Sequence, residues 1–306
     1  MSLRFPSAVV CLVALPFGLA HAAEAPTAAF LTPANGNPRM IWITSADEQA
    51  IHYKESPQAT ASAQIAKGEV KALQVFATQA MADARALFEC RKYDAARTKF
   101  QTVREQFKDL AGIDGNPSAE ATFMELECLR KSGDLEGLAA AFTSLDRRGI
   151  NRESQRRQLD LYGLWDAVRL KDWPRVESTA REHCNNPTLL GCQRAQAAYC
   201  LGLALDAQGK TGAAIDAYQA ALTTDGGTSV EIARDAALKA LRLYRKDPEV
   251  IAAMKGGNEG AGRLRLLEAA GLASLFGTLP GLEEALPGDL AEFLKFRPET
   301  AAKEKP

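Results

Sequence analysis

Tyr199–Leu222, YCLGLALDAQGKTGAAIDAYQAAL, reads as two helices folded back on each other. Leu201 and Leu205, then Ala214, Tyr218, Ala221 and Leu222, recur at the three- and four-residue intervals that keep side chains on one helical face. Gly209 interrupts the pattern, and a glycine there takes the left-handed conformation that ends a helix. Thr211 is then positioned to cap the second helix through its hydroxyl. The stretch predicts an antiparallel helix pair joined by a tight turn.

Upstream segments repeat the arrangement. Ala214 and Tyr218 follow the turn Gln208-Gly209-Lys210, as Ala96 and Phe100 follow Arg91-Lys92-Tyr93. Leu138 and Phe142 stand likewise after Ser132-Gly133-Asp134, and Val176 and Ala180 after Lys171-Asp172-Trp173. Successive first members lie 42, 38 and 38 residues apart. One helical hairpin per period of about 38 residues predicts a solenoid, in which each hairpin buries its apolar face against the next.

On these residues the chain resembles the tetratricopeptide repeat family. Leu201-Gly202 with Leu205 is similar to the family's first-helix signature, and Ala214, Tyr218 and Ala221 to its small, aromatic and small second-helix positions. The likeness spans residues 77 to 222. It implies a right-handed solenoid of helical hairpins, mostly α, whose first helices line a concave groove. In that register the groove carries Glu120, Phe123, Glu127 and Arg130, then Gln158, Leu161, Trp165 and Val168, then Gln196, Tyr199, Leu203 and Asp206. Helical spacing independently puts each set on one face. Phe123, Trp165 and Tyr199 then either anchor a partner, as aromatic side chains on preformed surfaces do, or pack between hairpins.

Before the array, residues 1–22 carry one cation, Arg4, then an apolar run from Ala8 to Ala20 and the small-residue site Ala20-His21-Ala22. This is the pattern of a secretory signal peptide, and the run is too short for a membrane-spanning helix. Residues 23–39, rich in Ala, Pro, Asn and Gly, read as a flexible leader. Residues 40–76 hold four short β-branched or aromatic runs separated by polar turns and predict a small antiparallel β module. Such a module serves as a cap on the array or pairs a partner's strand at its edge. The repeats continue to residue 254, followed by a glycine-rich linker (255–262), capping helices (263–296) and a solvated tail (297–306).

Loss of the 22-residue leader, with Arg4, leaves 284 residues with 36 Lys+Arg against 38 Asp+Glu. That balance gives no electrostatic basis for a nucleic-acid partner or an anionic membrane surface. Five cysteines remain, and Cys184 and Cys192 flank the loop NNPTLLG, so they either bridge in an oxidising compartment or stay as small apolar thiols. His52 and His183 sit in no nucleophile context, and no HExxH, paired CxxC, calcium loop or phosphate loop occurs. No cofactor or metal is expected. The acidic pairs Glu125 with Glu127 and Glu283 with Glu284 are either glycan-cleaving acid and base candidates or solvated carboxylates.

These features point to a non-enzymatic adaptor or scaffold, exported to the periplasm or beyond, binding a peptide or protein of the bacterial cell envelope in a concave groove. The alternatives are a cell-envelope hydrolase or lytic enzyme on a helical scaffold, and a structural subunit of an envelope complex.

Overall fold

The structure, a computed structural model, describes residues 26–227, 229–256, 260–279 and 285–297. The expected signal peptide, the pair Glu283 and Glu284, and the tail beyond Arg297 lie outside the described residues. The chain divides into two units, one ending at Phe76 and one beginning at Ala77.

The first unit is an antiparallel sheet of five strands: β1 (Thr27–Pro33), β2 (Arg39–Ala46), β3 (Ala50–Lys54), β4 (Ala63–Ala66) and β5 (Val70–Val75). Their spatial order is β4-β3-β2-β1-β5. The four strands expected from the sequence are β2 to β5, but the stretch read as a flexible leader supplies an interior strand. Thr27 to Leu31 pair with Ile43 to Arg39 on one side, and Ala29 to Leu31 with Val75 to Leu73 on the other. The reason is alternation: Ala29, Leu31 and Pro33 point inward with Ile41, Ile43, Ile51, Tyr53 and Leu73. The β2–β3 turn is held by Asp47, whose carboxylate accepts from the Gln49 and Ala50 amides at 2.8 and 2.9 Å and meets His52 Nε2 at 2.8 Å.

The second unit is helical. Its hairpins pair α1 (Gln79–Glu89) with α2 (Tyr93–Gln106), α3 (Pro117–Ser132) with α4 (Leu135–Thr143), and α5 (Glu153–Arg169) with α6 (Trp173–Cys184). They continue with α7 (Gly191–Ala207) and α8 (Thr211–Thr224), then α9 (Val230–Lys246) and α10 (Pro248–Met254). A longer helix, α11 (Ala261–Phe276), and a short one, α12 (Gly288–Ala291), close the unit. Each helix from α1 to α9 packs on the next, and α5 on α7 and α7 on α9. From the third hairpin to the fifth, first helices therefore stack on first helices.

The first four hairpin turns are the same device. Arg91, Gly133, Lys171 and Gly209 each take a positive φ, at 59°, 80°, 57° and 73°. In each, the next amide reaches back to a carbonyl of the first helix: Lys92 to Leu87, Asp134 to Leu129, Asp172 to Ala167 and Lys210 to Leu205, at 2.9 to 3.0 Å. This left-handed cap satisfies the orphan carbonyls of a helix end. The expected cap by Thr211 does not form. Thr211 is the first residue of α8, and Lys210 precedes it without a side-chain bond.

Gly202 of α7 allows the closest approach within the fourth hairpin, because a Cβ built there would lie 2.5 Å from ring carbons of Tyr218. Size alternates at this register: Ala84 with Phe100, Leu164 with Ala180, Gly202 with Tyr218, all buried. Leu126 with Phe142 breaks the rule, and Phe142 stays half-buried, edge-on to Tyr162. The end of the expected linker is not a hinge: Ala261 and Gly262 form the first turn of α11, and a Cβ on Gly262 would meet the Glu249 carbonyl at 2.5 Å. Leu266, Ala269, Ala273, Phe276, Leu290 and Phe293 belong to the same buried cluster as α5 to α9, covering the last hairpin's apolar face.

Candidate functional site

The residues expected to line an open groove lie together but hold one another. Glu127 and Arg130, one helical turn apart on α3, form a two-point pair: Arg130 Nε to Oε1 at 2.9 Å and Nη2 to Oε2 at 2.7 Å. Tyr162 of α5 donates to the same Oε1 at 2.7 Å. Burial would raise Glu127, but the adjacent guanidinium and the hydrogen bonds from Arg130 and Tyr162 outweigh it and hold the carboxyl below its ordinary range. Burial and the Glu127 charge push Tyr162 up, so its hydroxyl keeps the proton it donates.

On α5 and α7 the row continues through amides. Gln158 and Gln196 stand 38 residues apart, both buried, and exchange reciprocal bonds of 2.9 and 3.0 Å. Trp165 Nε1 adds a third at 3.0 Å to Gln196 Oε1. Its ring lies 5.9 Å from that of Tyr199, which is 6.0 Å from Tyr218. Tyr199 donates its hydroxyl to Asp235 of α9, and burial followed by that carboxylate pushes it well above the ordinary tyrosine value. At the start of α9, Glu231 gathers Tyr93, Lys131 and Arg91 from the first two hairpins. Its carboxyl is lowered: burial opposes, and the Tyr93 hydroxyl and the Lys131 ammonium prevail. The N-terminus of α9, where negative charge is favoured, is thus tied to residues 100 and 138 positions earlier in the chain.

Several expectations are corrected. Leu161 is fully buried in the core rather than exposed in a groove, and Gln158, Trp165, Gln196 and Tyr199 are buried with their polar atoms engaged. Arg130 is buried on Glu127, and Val168 is buried. Glu120 pairs with Arg85. Phe123 and Leu203 remain half-buried against the core, and Asp206 is exposed. Cys184 and Cys192 are half-buried free thiols, each pushed up in pKa by burial, and not a bridge; Cys184 packs as a small apolar residue against the core.

Glu125 lies on another side of α3. With Arg104, it lines a cavity of about 300 Å³ formed by α2, α3, α4 and the segments that follow α2 and α4. Glu125 is 6 % exposed, and its Oε2 accepts from Arg104 Nη1 at 3.0 Å. Its Oε1 is buried out of reach of solvent, and Gln101 adds a side-chain hydrogen bond to the carboxylate. Burial pushes this carboxyl upward, against the opposing pull of Arg104 and Gln101. Glu125 and Glu127 therefore occupy separate environments and do not flank one cleft, which removes the geometry an acid–base pair for glycan cleavage requires.

Sequence reasoning missed Tyr162, Asp235, Glu231, Tyr93, Lys131 and the Arg104 side of the cavity. Tyr162 is adjacent to the expected Leu161 and shares a face with Gln158 and Trp165, four residues after the one and three before the other. Glu231 and Asp235, four residues apart on α9, were the available signal of a fifth member of the row.

Among the described residues no helix is long and apolar enough to cross a membrane, and no group of three His, Cys, Asp or Glu side chains is placed to hold a metal ion. Comparison with protein-family models, with curated proteins and with solved structures finds no match to this chain.

Proposed function

We propose that the protein is a non-enzymatic interaction adaptor of the bacterial cell envelope, exported to the periplasm or beyond. In this reading it is a right-handed solenoid similar to tetratricopeptide repeats, and it binds a protein or peptide along the face made by its first helices. One observation carries the reading: α3, α5, α7 and α9 present a continuous row of side chains already fixed by mutual hydrogen bonds, from Glu127–Arg130 through Gln158–Gln196 to Tyr199–Asp235. A surface ordered in advance loses little side-chain entropy when a partner docks. The buried row supplies shape, and contact falls on its accessible margin, at Glu120, Phe123, Leu203 and Asp206.

Affinity capture from periplasmic and membrane fractions, with the mature protein as bait, tests this. Wild type and the double variant Phe123→Ala, Asp206→Lys are compared against each captured partner. The expected result is at least about a fivefold loss of affinity, roughly 1 kcal/mol, with an unchanged melting curve. Equal affinity of the two proteins for every captured partner would remove this face from the function.

A further inference from the structure

We propose that Arg91, Tyr93 and Lys131 form a carboxylate-binding cradle on the first two hairpins, and that Glu231 of the fifth occupies it as an internal substitute for a partner's carboxylate. The inference names the ligand chemistry of the proposed binding face and rests on the adaptor reading for its partner.

The argument begins with range. In a helical-repeat stack each repeat is held by its neighbours, and α9 packs on α7, α8, α10 and α11. Its tie to Lys131 and Tyr93 skips two hairpins and joins residues 100 and 138 positions apart. Neighbour packing alone does not produce such a tie. Glu231 lies one helical turn before Asp235, which bonds Tyr199 of the row, so withdrawal of Glu231 frees the end of the first-helix face.

The cradle is built locally. Lys131 Nζ lies 5.8 and 5.9 Å from the ring centroids of Phe88 and Tyr93, and those rings meet edge-on at 5.4 Å. A cation so placed is attracted by the ring quadrupoles, and the ammonium therefore has its position from the first two hairpins. Arg91 stands in the left-handed turn between α1 and α2, at φ 59°, and Tyr93 opens α2 two residues later. None of these placements uses Glu231.

The chemistry is that of a carboxylate receptor. A guanidinium, an ammonium and a phenolic hydroxyl converge on two oxygens: Tyr93 donates to Oε1, Arg91 Nε lies 3.6 Å from it, and Lys131 Nζ donates to Oε2 at 3.0 Å. Charge-assisted donors of this kind make the strong hydrogen bonds to a carboxylate. The site is within reach of solvent, the Glu231 side chain being 28 % exposed and that of Arg91 34 %. An incoming carboxylate can therefore compete for the donors. Its apparent affinity is reduced to the fraction of molecules in which Glu231 is withdrawn.

The test is calorimetric titration of the full chain at fixed ionic strength. The probes are N-acetyl-alanine as a C-terminal carboxylate, Nα-acetyl-glutamate methylamide as a side-chain carboxylate, and Nα-acetyl-glutamine methylamide as the uncharged control. Glu231→Ala empties the cradle and should bind at least one carboxylate probe about tenfold tighter than wild type does, and about tenfold tighter than the glutamine control. The tighter probe identifies the source. Adding Lys131→Met should weaken that binding about tenfold. Glu231→Gln, which removes the charge and keeps the shape, should show a smaller gain and decides the matter should Glu231→Ala not fold. Equal affinity of wild type and the folded Glu231 variants, no binding of either carboxylate, equal binding of the glutamine control, or retained affinity without Lys131 overturns the proposal. Carboxylate binding with no face-dependent partner overturns the adaptor reading alone, and a face-dependent partner with no carboxylate binding overturns the cradle alone.

Discussion

Glu125 and Glu127 stand two residues apart on α3, about 200° apart around the helix, and their surroundings act on them in opposite directions. On one side, Glu127 meets a buried guanidinium and a tyrosine hydroxyl, every contact between 2.7 and 2.9 Å, and its carboxyl is lowered. On the other, Glu125 has one guanidinium at 3.0 Å and a hydrogen bond from Gln101, burial outweighs both, and its carboxyl is raised. Burial works against both charges. The difference lies in the partners, since low dielectric strengthens a satisfied network and penalises an unsatisfied group by the same physics.

The largest effect that could break this comparison is Glu127→Gln. It leaves Arg130 buried without its counter-ion, a loss worth about 3 to 5 kcal/mol, to be read from urea denaturation. A cost under about 1 kcal/mol would mean that water replaces the pair easily, and the two faces of α3 would not differ in kind. Gly202→Ala sharpens the comparison by removing charge from it. Alanine gains about 1 kcal/mol of helix propensity, but its Cβ would sit 2.5 Å from the Tyr218 ring, and overpacking costs about 1 to 3 kcal/mol. Net destabilisation that does not vary with pH is expected. A stabilised variant would show that the ring moves aside freely.

The pH dependence separates the two carboxylates by sign. Glu127 and Glu231 have depressed values in the fold, so their contribution is full above the unfolded glutamate value of 4.5 and is lost as pH falls through their folded values. Glu125 has a raised value, so its contribution is full below 4.5 and is lost as pH rises through its folded value. Stability measured from acid to neutral pH should show a shallower acid limb in Glu127→Gln than in wild type. An identical limb in the two proteins would mean that Glu127 is not lowered.

The repeat period was legible because it is local. Left-handed turn residues and the small and aromatic positions recur at 42, 38 and 38 residues, and each hairpin's chemistry sits within its own segment. The state of the first-helix face was not legible. Ala195 to Gly202 are buried without a break on α7, so a 3.6-residue period cannot say which side is groove. The bonds that fill the face, Tyr199 to Asp235 or Tyr93 to Glu231, join residues 36 and 138 apart, and the spacing of Glu231 and Asp235 on α9 does not say which tyrosine each one meets. Strand β1 escaped for a compositional reason, its alternation being carried by Ala29 and Pro33 as much as by Leu31. The cavity escaped because Glu125 was read together with Glu127, although a two-residue separation on a helix puts them on different sides.

The smallest expected effect bears most directly on the cavity. Glu125→Gln keeps the side chain's shape while removing a charge that burial already disfavours, and Arg104 retains Glu105 at 3.5 Å. The amide can accept from Arg104 through its oxygen, and its NH2 group takes the place of the second carboxylate oxygen. Loss of the charge-assisted bond and relief of the desolvation penalty then nearly cancel. Stability should change by no more than about 1 kcal/mol at neutral pH. Relative to wild type the variant should gain as pH rises, because it no longer ionises a buried group. Parallel denaturation of wild type, Glu125→Gln and Glu127→Gln across pH decides the point. A cost at Glu125 matching that at Glu127, with the same acid-side slope, would make both carboxylates structural and leave the cavity without its distinguishing group.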